Sequence, residues 1–315
     1  MSKNVEKSSW YFINIFIGLN LLLLCSASAD PALKKYFTAN AAYNRKLYSV
    51  ATTQFENFLK AHSSHPKADL ALRGLGLSHY ALKQYNEAIP CFSKLISKNN
   101  LDKTINRERI IILQGQCLLQ SSQKSKAKDL FTNEVQSLTN PIYKNSALAF
   151  IIDISFGNSN WDDVVKWTSI IKNSKPSPDQ LTRAIYQMGF AYYQKDQITE
   201  AIKALNSSSD NKISDKWKTR ISYLLGECHS KNKQLEEAEK SFSIALEGMA
   251  KEEAKECHFR LGVTRFLMTK YEQALANFDI FLQENKDLQD PKSRQATLYK
   301  GRIYYEFKKY LEAET

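Results

Sequence analysis

The chain has 315 residues, a formal net charge of +11 and 43% hydrophobic residues. With only 10 glycines and 7 prolines it is neither collagen-like nor of the disordered, low-complexity kind. Its 44 Lys and Arg against 33 Asp and Glu read as a lysine-rich solvated surface. No run of five basic residues and no nucleic-acid motif accompanies them, so nucleic acid is not expected as a partner.

The first thirty residues stand apart. Lys3 and Lys7 make a weakly positive start, Trp10 to Cys25 is almost wholly apolar, and Ala27-Ser28-Ala29 places small residues just before Asp30 and Pro31. That order predicts a secretory signal peptide over residues 1–29, cleaved after Ala29, and hence a protein of the periplasm or cell envelope. Two alternatives stand beside it. Residues 10–25 can remain as an uncleaved membrane anchor, although the run is short and holds Asn14 and Asn20. Cys25 can be lipidated, against which the bulky Leu24 counts. Export puts Cys91, Cys117, Cys228 and Cys257 in an oxidising space. Their pairing is open, and buried free cysteine is the simpler reading of four thiols in apolar helical surroundings.

From residue 33 onward one helical pattern recurs, in units of roughly 33–66, 67–105, 106–142, 143–178, 179–215, 216–252, 253–291 and 292–315, the last partial. The first unit carries Ala39, Tyr43, Ala51, Phe55 and Phe58. The second carries Leu75-Gly76 and then Tyr85-Asn86-Glu87-Ala88; the third, Gly115, Ala127 and Phe131. The fourth is degenerate, with Ile152, Trp161, Val164 and Ile171. The rest hold Gly189 with Ala201, Gly226 with Ala238, Gly262 with Ala274, and Gly301 with Ala313. Six of the 10 glycines thus share one register, each followed twelve residues later by Ala. Glycine inside a helix costs about 1 kcal/mol against Ala, so six such penalties at one position demand a packing reason. The equivalent positions are 39, 76, 115, 152, 189, 226, 262 and 301. Pro66, Pro141, Pro176, Pro178 and Pro291 fall between units, where helices stop; Pro90 falls near the start of a second helix, where its missing N–H is tolerated.

This pattern resembles the tetratricopeptide-repeat (TPR) family, over nearly the whole chain after residue 33. The resemblance implies an all-α fold, a right-handed α-α superhelix of about eight helix-turn-helix repeats, the last incomplete. It implies that each glycine admits a close approach of first to second helix, with the small Ala facing it. The run Phe55 to Lys60, with His65-Pro66 and Leu75-Gly76, is similar to the subset found in bacterial envelope proteins, among them outer-membrane assembly lipoproteins and cell-division coordinators. The function it implies is a non-catalytic protein–protein interaction scaffold that holds a partner peptide or helix in a concave groove lined by first helices. The membrane is touched only through the N-terminal segment if that stays uncleaved, and no cofactor is called for. Groove positions include Tyr36, Tyr43, Arg73, Tyr80, Arg302 and Tyr305, and the leading candidates are Arg183, Tyr186, Phe190, Tyr193, Arg220, Tyr223, Phe259 and Phe266. A second reading makes the repeats the docking arm of a longer enzyme or assembly machine, since the last unit ends only a few residues into its second helix.

Catalytic signatures are missing: no nucleophile elbow, P-loop, dinucleotide fingerprint or HExxH helix is present. His62 and His65 read as an exposed loop pair. Cys228-His229 and Cys257-His258 sit on first helices of adjacent repeats, where core packing, a Cys228–Cys257 disulfide and a metal site are all open.

Overall fold

The structure is a computed structural model that describes residues 30–208, 214–285 and 289–308. The expectations for residues 1–29 and for Ala313 lie outside the described residues. The described residues form fifteen helices. In chain order they are α1 (Pro31–Asn44), α2 (Tyr48–Ala61), α3 (Ala68–Ala81), α4 (Tyr85–Ile96), α5 (Arg107–Gln120), α6 (Lys124–Glu134), α7 (Pro141–Gly157) and α8 (Trp161–Lys172). They continue as α9 (Pro178–Gln194), α10 (Ile198–Asn206), α11 (Asp215–Lys231), α12 (Leu235–Gly248), α13 (Lys251–Leu267), α14 (Tyr271–Glu284) and α15 (Pro291–Glu306). The chain divides into two compact units, Met1–Tyr143 and Lys144–Thr315. Within each, successive helices pack as hairpins, so that odd-numbered helices are the first and even-numbered the second helix of a repeat.

The hairpin turn is the same in every repeat. Lys46, Lys83, Ser122, Ser159, Asp196, Lys233, Thr269 and Lys308 all have φ between 55° and 60° or within a degree of it, and each lies seven residues after its register position. None is glycine. In the turn after α3, Lys83 N–H donates to the Tyr80 carbonyl (3.0 Å) and Gln84 N–H to that of His79 (2.9 Å). That pair of bonds is the Schellman closure, which satisfies the last carbonyls of a helix and needs one left-handed residue just past its end. The sequence reading did not foresee this turn, because Lys and Ser are not the residues a left-handed position usually takes.

The packing at the shared register differs from the sequence expectation. The alanines twelve residues on, Ala88, Ala127, Ala201, Ala238 and Ala274, are fully buried, yet they are not what meets the glycines. A methyl group at Gly76 would strike Phe92, at Gly115 Phe131, at Gly189 Leu205, at Gly226 Phe242 and at Gly262 Phe278, each with an atom 1.9–2.7 Å away. Every one of these side chains is sixteen residues on, one helical turn past the alanine, on the second helix of the same repeat. The glycine makes a seat for a large side chain, and the alanine lets the two helices lie close beside it. In the degenerate fourth repeat the large and small residues are reversed in sequence: Ile152 stands at the register position and Thr168 sixteen residues on, both fully buried.

Proline placement is also sharper than expected. Pro141, Pro178 and Pro291 start helices α7, α9 and α15 as their first residue, where no N–H is needed. Ser177 and Gln180 close a capping box ahead of α9, and Asp290 caps α15 by accepting from Ser293 N–H at 3.0 Å. Pro90 is a correction. It is inside α4, past the first turn, and removes a donor that the helix would otherwise use.

Candidate partner-binding face

The second unit carries a continuous chain of rings, from its first helices and the start of α8. Phe156 at the end of α7 meets Phe190 of α9 (ring centroids 5.3 Å apart) and Trp161 at the start of α8 (5.7 Å). Phe190 also meets Trp161 at 5.8 Å and Tyr186 at 6.5 Å. Tyr186 leans on Trp217 of α11 at 5.5 Å. Phe156, Trp161, Tyr186 and Phe190 are half-buried, so each ring shares its area between the core and the surface.

Charges border this chain. Arg183 is half exposed and pairs with Asp153 at 2.9 Å, an oxygen that Gln187 Nε2 also reaches at 2.9 Å. Burial pushes the Asp153 carboxyl above its usual range, against the Gln187 hydrogen bond and the Arg183 charge. Trp217 Nε1–H donates to Asp179 Oδ1 (2.9 Å), tying α11 to the start of α9. The Arg220 guanidinium lies 5.5 Å from the Trp217 ring centroid, a cation–π contact on an exposed side chain. The Tyr193 hydroxyl donates to Glu227 Oε2 at 3.4 Å, and Lys231 Nζ sits 5.1 Å from the Tyr193 ring centroid.

Further along, Glu227, Glu256 and Arg260 form a half-buried charge cluster. Glu227 Oε1 is sealed from solvent and meets Arg260 Nε at 3.2 Å without a well-aligned hydrogen bond. Arg260 Nε also meets Glu256 Oε1 at 3.0 Å, and Lys292 pairs with the other Glu256 oxygen. Burial raises the Glu227 carboxyl above its normal range, opposed by Arg260 and reinforced by the charge of Glu256.

The eight candidates therefore divide. Arg183, Tyr186, Phe190, Tyr193 and Arg220 come together on α9 and α11. Tyr223 is half-buried with its ring edge 5.7 Å from Phe242, and burial drives its phenol far up. Phe266 is half-buried against Tyr299 (4.7 Å) and Tyr271 (5.8 Å), away from the ring chain. Phe259 is a correction: it is 3% exposed, packed on Phe278 and Phe281, and has no surface to offer a partner. Tyr36 fails in the same way in the first unit, at 7% exposure. Both pack on the second helix of their own hairpin, whereas Tyr186, also three residues before its register position, leans instead on Trp217 of the next repeat. Arg73, Tyr43 and Tyr80 are half-buried, and the Tyr80 hydroxyl donates to Gln116 Oε1 (3.1 Å); Arg302 and Tyr305 are exposed on α15, which also holds the half-buried Gly301.

Sequence reasoning missed Phe156, Trp217, Asp153 and Glu227. Three were within reach. Phe156 stands four residues after Ile152, as Tyr193 does after Gly189, while Asp153 and Glu227 occupy the Phe190 register. The degenerate fourth repeat hid the first two. Trp217 carries no register signal.

The thiols lie inside the repeats. Cys91, Cys117, Cys228 and Cys257 are free and buried. Burial pushes Cys91 up to about 11 and the other three to about 12, so the nucleophilic thiolate is suppressed at neutral pH. The Cys228–Cys257 disulfide is not formed. His229 Nδ1 meets Gln234 Oε1 at 2.9 Å and His258 Nδ1 meets Asn277 Nδ2 at 3.0 Å, both local structural bonds. The loop pair is likewise structural rather than exposed. Lys67 N–H donates to His65 Nδ1 (3.0 Å), which leaves Nε2–H to donate to Asp30 Oδ2 (3.1 Å), and both His62 and His65 pack on Phe58. Among the described residues no group of three or more His, Cys, Asp or Glu is placed to hold a metal. No helix among them is long and apolar enough to cross a membrane.

Two tetratricopeptide-repeat family models match the chain, one over residues 38–101 and 259–315 and another over 183–208. The chain carries TPR repeats. Solved structures agree at the level of fold. The C-terminal part of a TPR repeat-containing protein from Cytophaga hutchinsonii superposes with a TM-score of 0.59 at 14% identity, covering 83% of this chain and 98% of that one. RapI in its apo form gives 0.57 at 12% identity, covering 87% and 82%. YrrB, described as a TPR protein with an unusual peptide-binding site, gives 0.50 at 15% identity, covering 69% and 97%. A search among curated proteins returns no match.

Proposed function

We propose that this TPR chain is a non-catalytic interaction scaffold of the bacterial cell envelope, and that the first-helix face of its second unit holds an extended or helical segment of a partner protein. The observation that carries the reading is the half-buried ring chain Phe156–Trp161–Phe190–Tyr186, backed by the buried Trp217 and flanked by Arg183 and Arg220. Aromatic side chains and Arg supply most hot-spot energy at protein interfaces, because they bring large area at little rotamer cost. Half-buried rings are already held in one rotamer by the core, so binding orders little further. Peptide binding by a protein of the same fold is consistent with it. The envelope location rests on the charge, apolar core and small residues of positions 1–29.

The test is photocrosslinking in cells from an amino acid placed at Tyr186 or Phe190, with the partner identified by mass spectrometry. Reversing charge at Arg183 and Arg220 together with Tyr186→Ala is expected to abolish that crosslink. A crosslink pattern that survives the triple change sinks the reading. The location is read separately, from the N-terminal residue of the secreted chain, expected at Asp30.

A further inference from the structure

The first repeat exposes a face that later repeats turn toward the repeat before them. Three positions show what that face meets. Two residues before the register position, Gly74 of α3 has Phe55 of α2 against it, 2.4 Å from an added methyl. Eight residues after it, Gln123 Nε2 donates to Asn86 Oδ1 (3.3 Å) and Lys270 Nζ to Glu239 Oε2 (2.5 Å). Eleven residues after it, Glu200 shares a cleft with Ser169 and Lys172. Each of these contacts is with the preceding repeat.

In the first repeat the three positions are Phe37, Leu47 and Val50, which are 50%, 51% and 50% exposed. Leu47 and Val50 are apolar only here. The six repeats with register positions from 76 to 262 carry Gln, Asn or Lys at the first of the two and Glu, Asp, Lys or Gln at the second. Single exposed apolar side chains are common on any surface. Three on one face, two of them at positions that are polar in those six repeats, mark a surface that is covered.

The sequence of α1 says by what. Asp30, Lys34, Phe37, Ala41 and Arg45 follow one another at intervals of four, three, four and four residues, so they share one stripe of the helix. An acid stands at one end, an arginine at the other and Phe37 midway. Laid antiparallel on the same stripe of a second molecule, about a twofold axis beside Phe37, the two ends are complementary. Asp30, whose side chain is 42% exposed, faces Arg45 of the second copy, and the Lys34 stem lies on Ala41 of the second copy, each contact occurring twice. An anionic lipid surface fits less well, because it meets the Asp30 carboxylate on the same stripe.

We infer that the face of Phe37, Leu47 and Val50 docks a second copy of this chain, the same patch meeting itself across a twofold axis. The inference rests on the cleavage after Ala29 proposed above, which leaves only Asp30 ahead of α1 to cover the face. It is independent of the partner-binding face on α9 and α11.

Sedimentation velocity on the secreted chain tests it, with N-terminal sequencing of the same sample. At about 100 µM, well above a Kd of about 10 µM for an interface of the small class, the expected species is a dimer. Leu47→Gln with Val50→Glu installs the residues that Gln84 and Glu87 already supply in the second repeat, so the far-UV circular dichroism stays unchanged. The pair is expected to weaken self-association by at least about tenfold, as four apolar side chains leave the interface. Phe37→Cys is expected to give a disulfide-linked dimer under mild oxidation, since residue 37 lies beside its own copy and the native thiols are buried. Arg183→Glu with Arg220→Glu leaves the dimer intact. A chain that begins at Asp30 and stays monomeric overturns the inference and leaves the cleavage reading standing. A monomer that keeps residues 1–29 overturns both. A dimer unmoved by the double substitution, a Phe37→Cys chain that does not crosslink, or binding to anionic vesicles without self-association also overturns the inference.

Discussion

Gly115→Ala sets the two main forces in this fold against each other. Helix propensity favours the change by about 1 kcal/mol, because alanine loses less backbone entropy than glycine. Packing opposes it. The new methyl would lie 1.9 Å from Phe131 Cζ, with two further ring atoms at 2.5–2.6 Å, and Phe131 is fully buried. Ordinary carbon contacts are about 3.5–4 Å, so the ring must retreat by well over an ångström into a filled core. Overpacking of that degree costs about 3 kcal/mol, which leaves a net loss of about 2 kcal/mol. Gly157→Ala is the internal control. Gly157 ends α7 with nothing within 4 Å of its added methyl, and propensity alone should make it neutral to about 1 kcal/mol stabilising. Urea titration followed by far-UV circular dichroism reads both. With a slope of about 3 kcal/mol per molar, Gly115→Ala lowers the midpoint by about 0.7 M. Phe131→Leu in the Gly115→Ala background should restore part of the loss, as Leu205 already serves opposite Gly189. A Gly115→Ala chain as stable as the parent, or a Phe131→Leu effect identical in both backgrounds, would refute the seat argument.

Other expectations follow from turns and charges. Lys83→Gly and Lys233→Gly, each at a left-handed φ of 59°, should stabilise by up to about 1 kcal/mol by relieving the Cβ strain, read as a raised urea midpoint. Glu239 accepts from Arg265 Nε (3.0 Å) and Lys270 Nζ (2.5 Å); burial raises its carboxyl, but those bonds win and hold it below its normal range. Its stabilisation is present above the unfolded carboxylate pKa and lost as pH falls through the folded value, so Glu239→Gln should cost about 1–2 kcal/mol near neutral pH and little in acid. Glu227 has the opposite sign, since burial raises its pKa. The folded chain holds that proton more tightly, so the group stabilises at low pH and the contribution is lost as pH rises through the raised value. Glu227→Gln should therefore gain melting temperature on the parent as pH increases from acid to neutral. A gap that narrows with rising pH would contradict it.

The register of glycines was legible because backbone cost and chain period are properties of sequence. Six penalties at one helical position, spaced by one repeat length, announce a repeated seat before any coordinate is known. What occupies the seat was not legible. Ala88 and Phe92 lie on the same face of α4, one turn apart, and both are buried. Only the crossing of α3 over α4 decides that Gly76 meets the phenylalanine. The candidate face shows the same division. Family position alone put Phe259 beside Tyr186, although the former is core and the latter half-exposed. The fourth repeat, with Ile152 where others have glycine, hid Phe156 and Asp153 although both sit on the face. Sequence by itself determined the repeat, its period, its helical class and the apolar faces of its hairpins, because those follow from local periodicity. Tertiary structure decided which side chains fill the seats and which rings keep surface. Those outcomes depend on distances between helices that no single helix encodes.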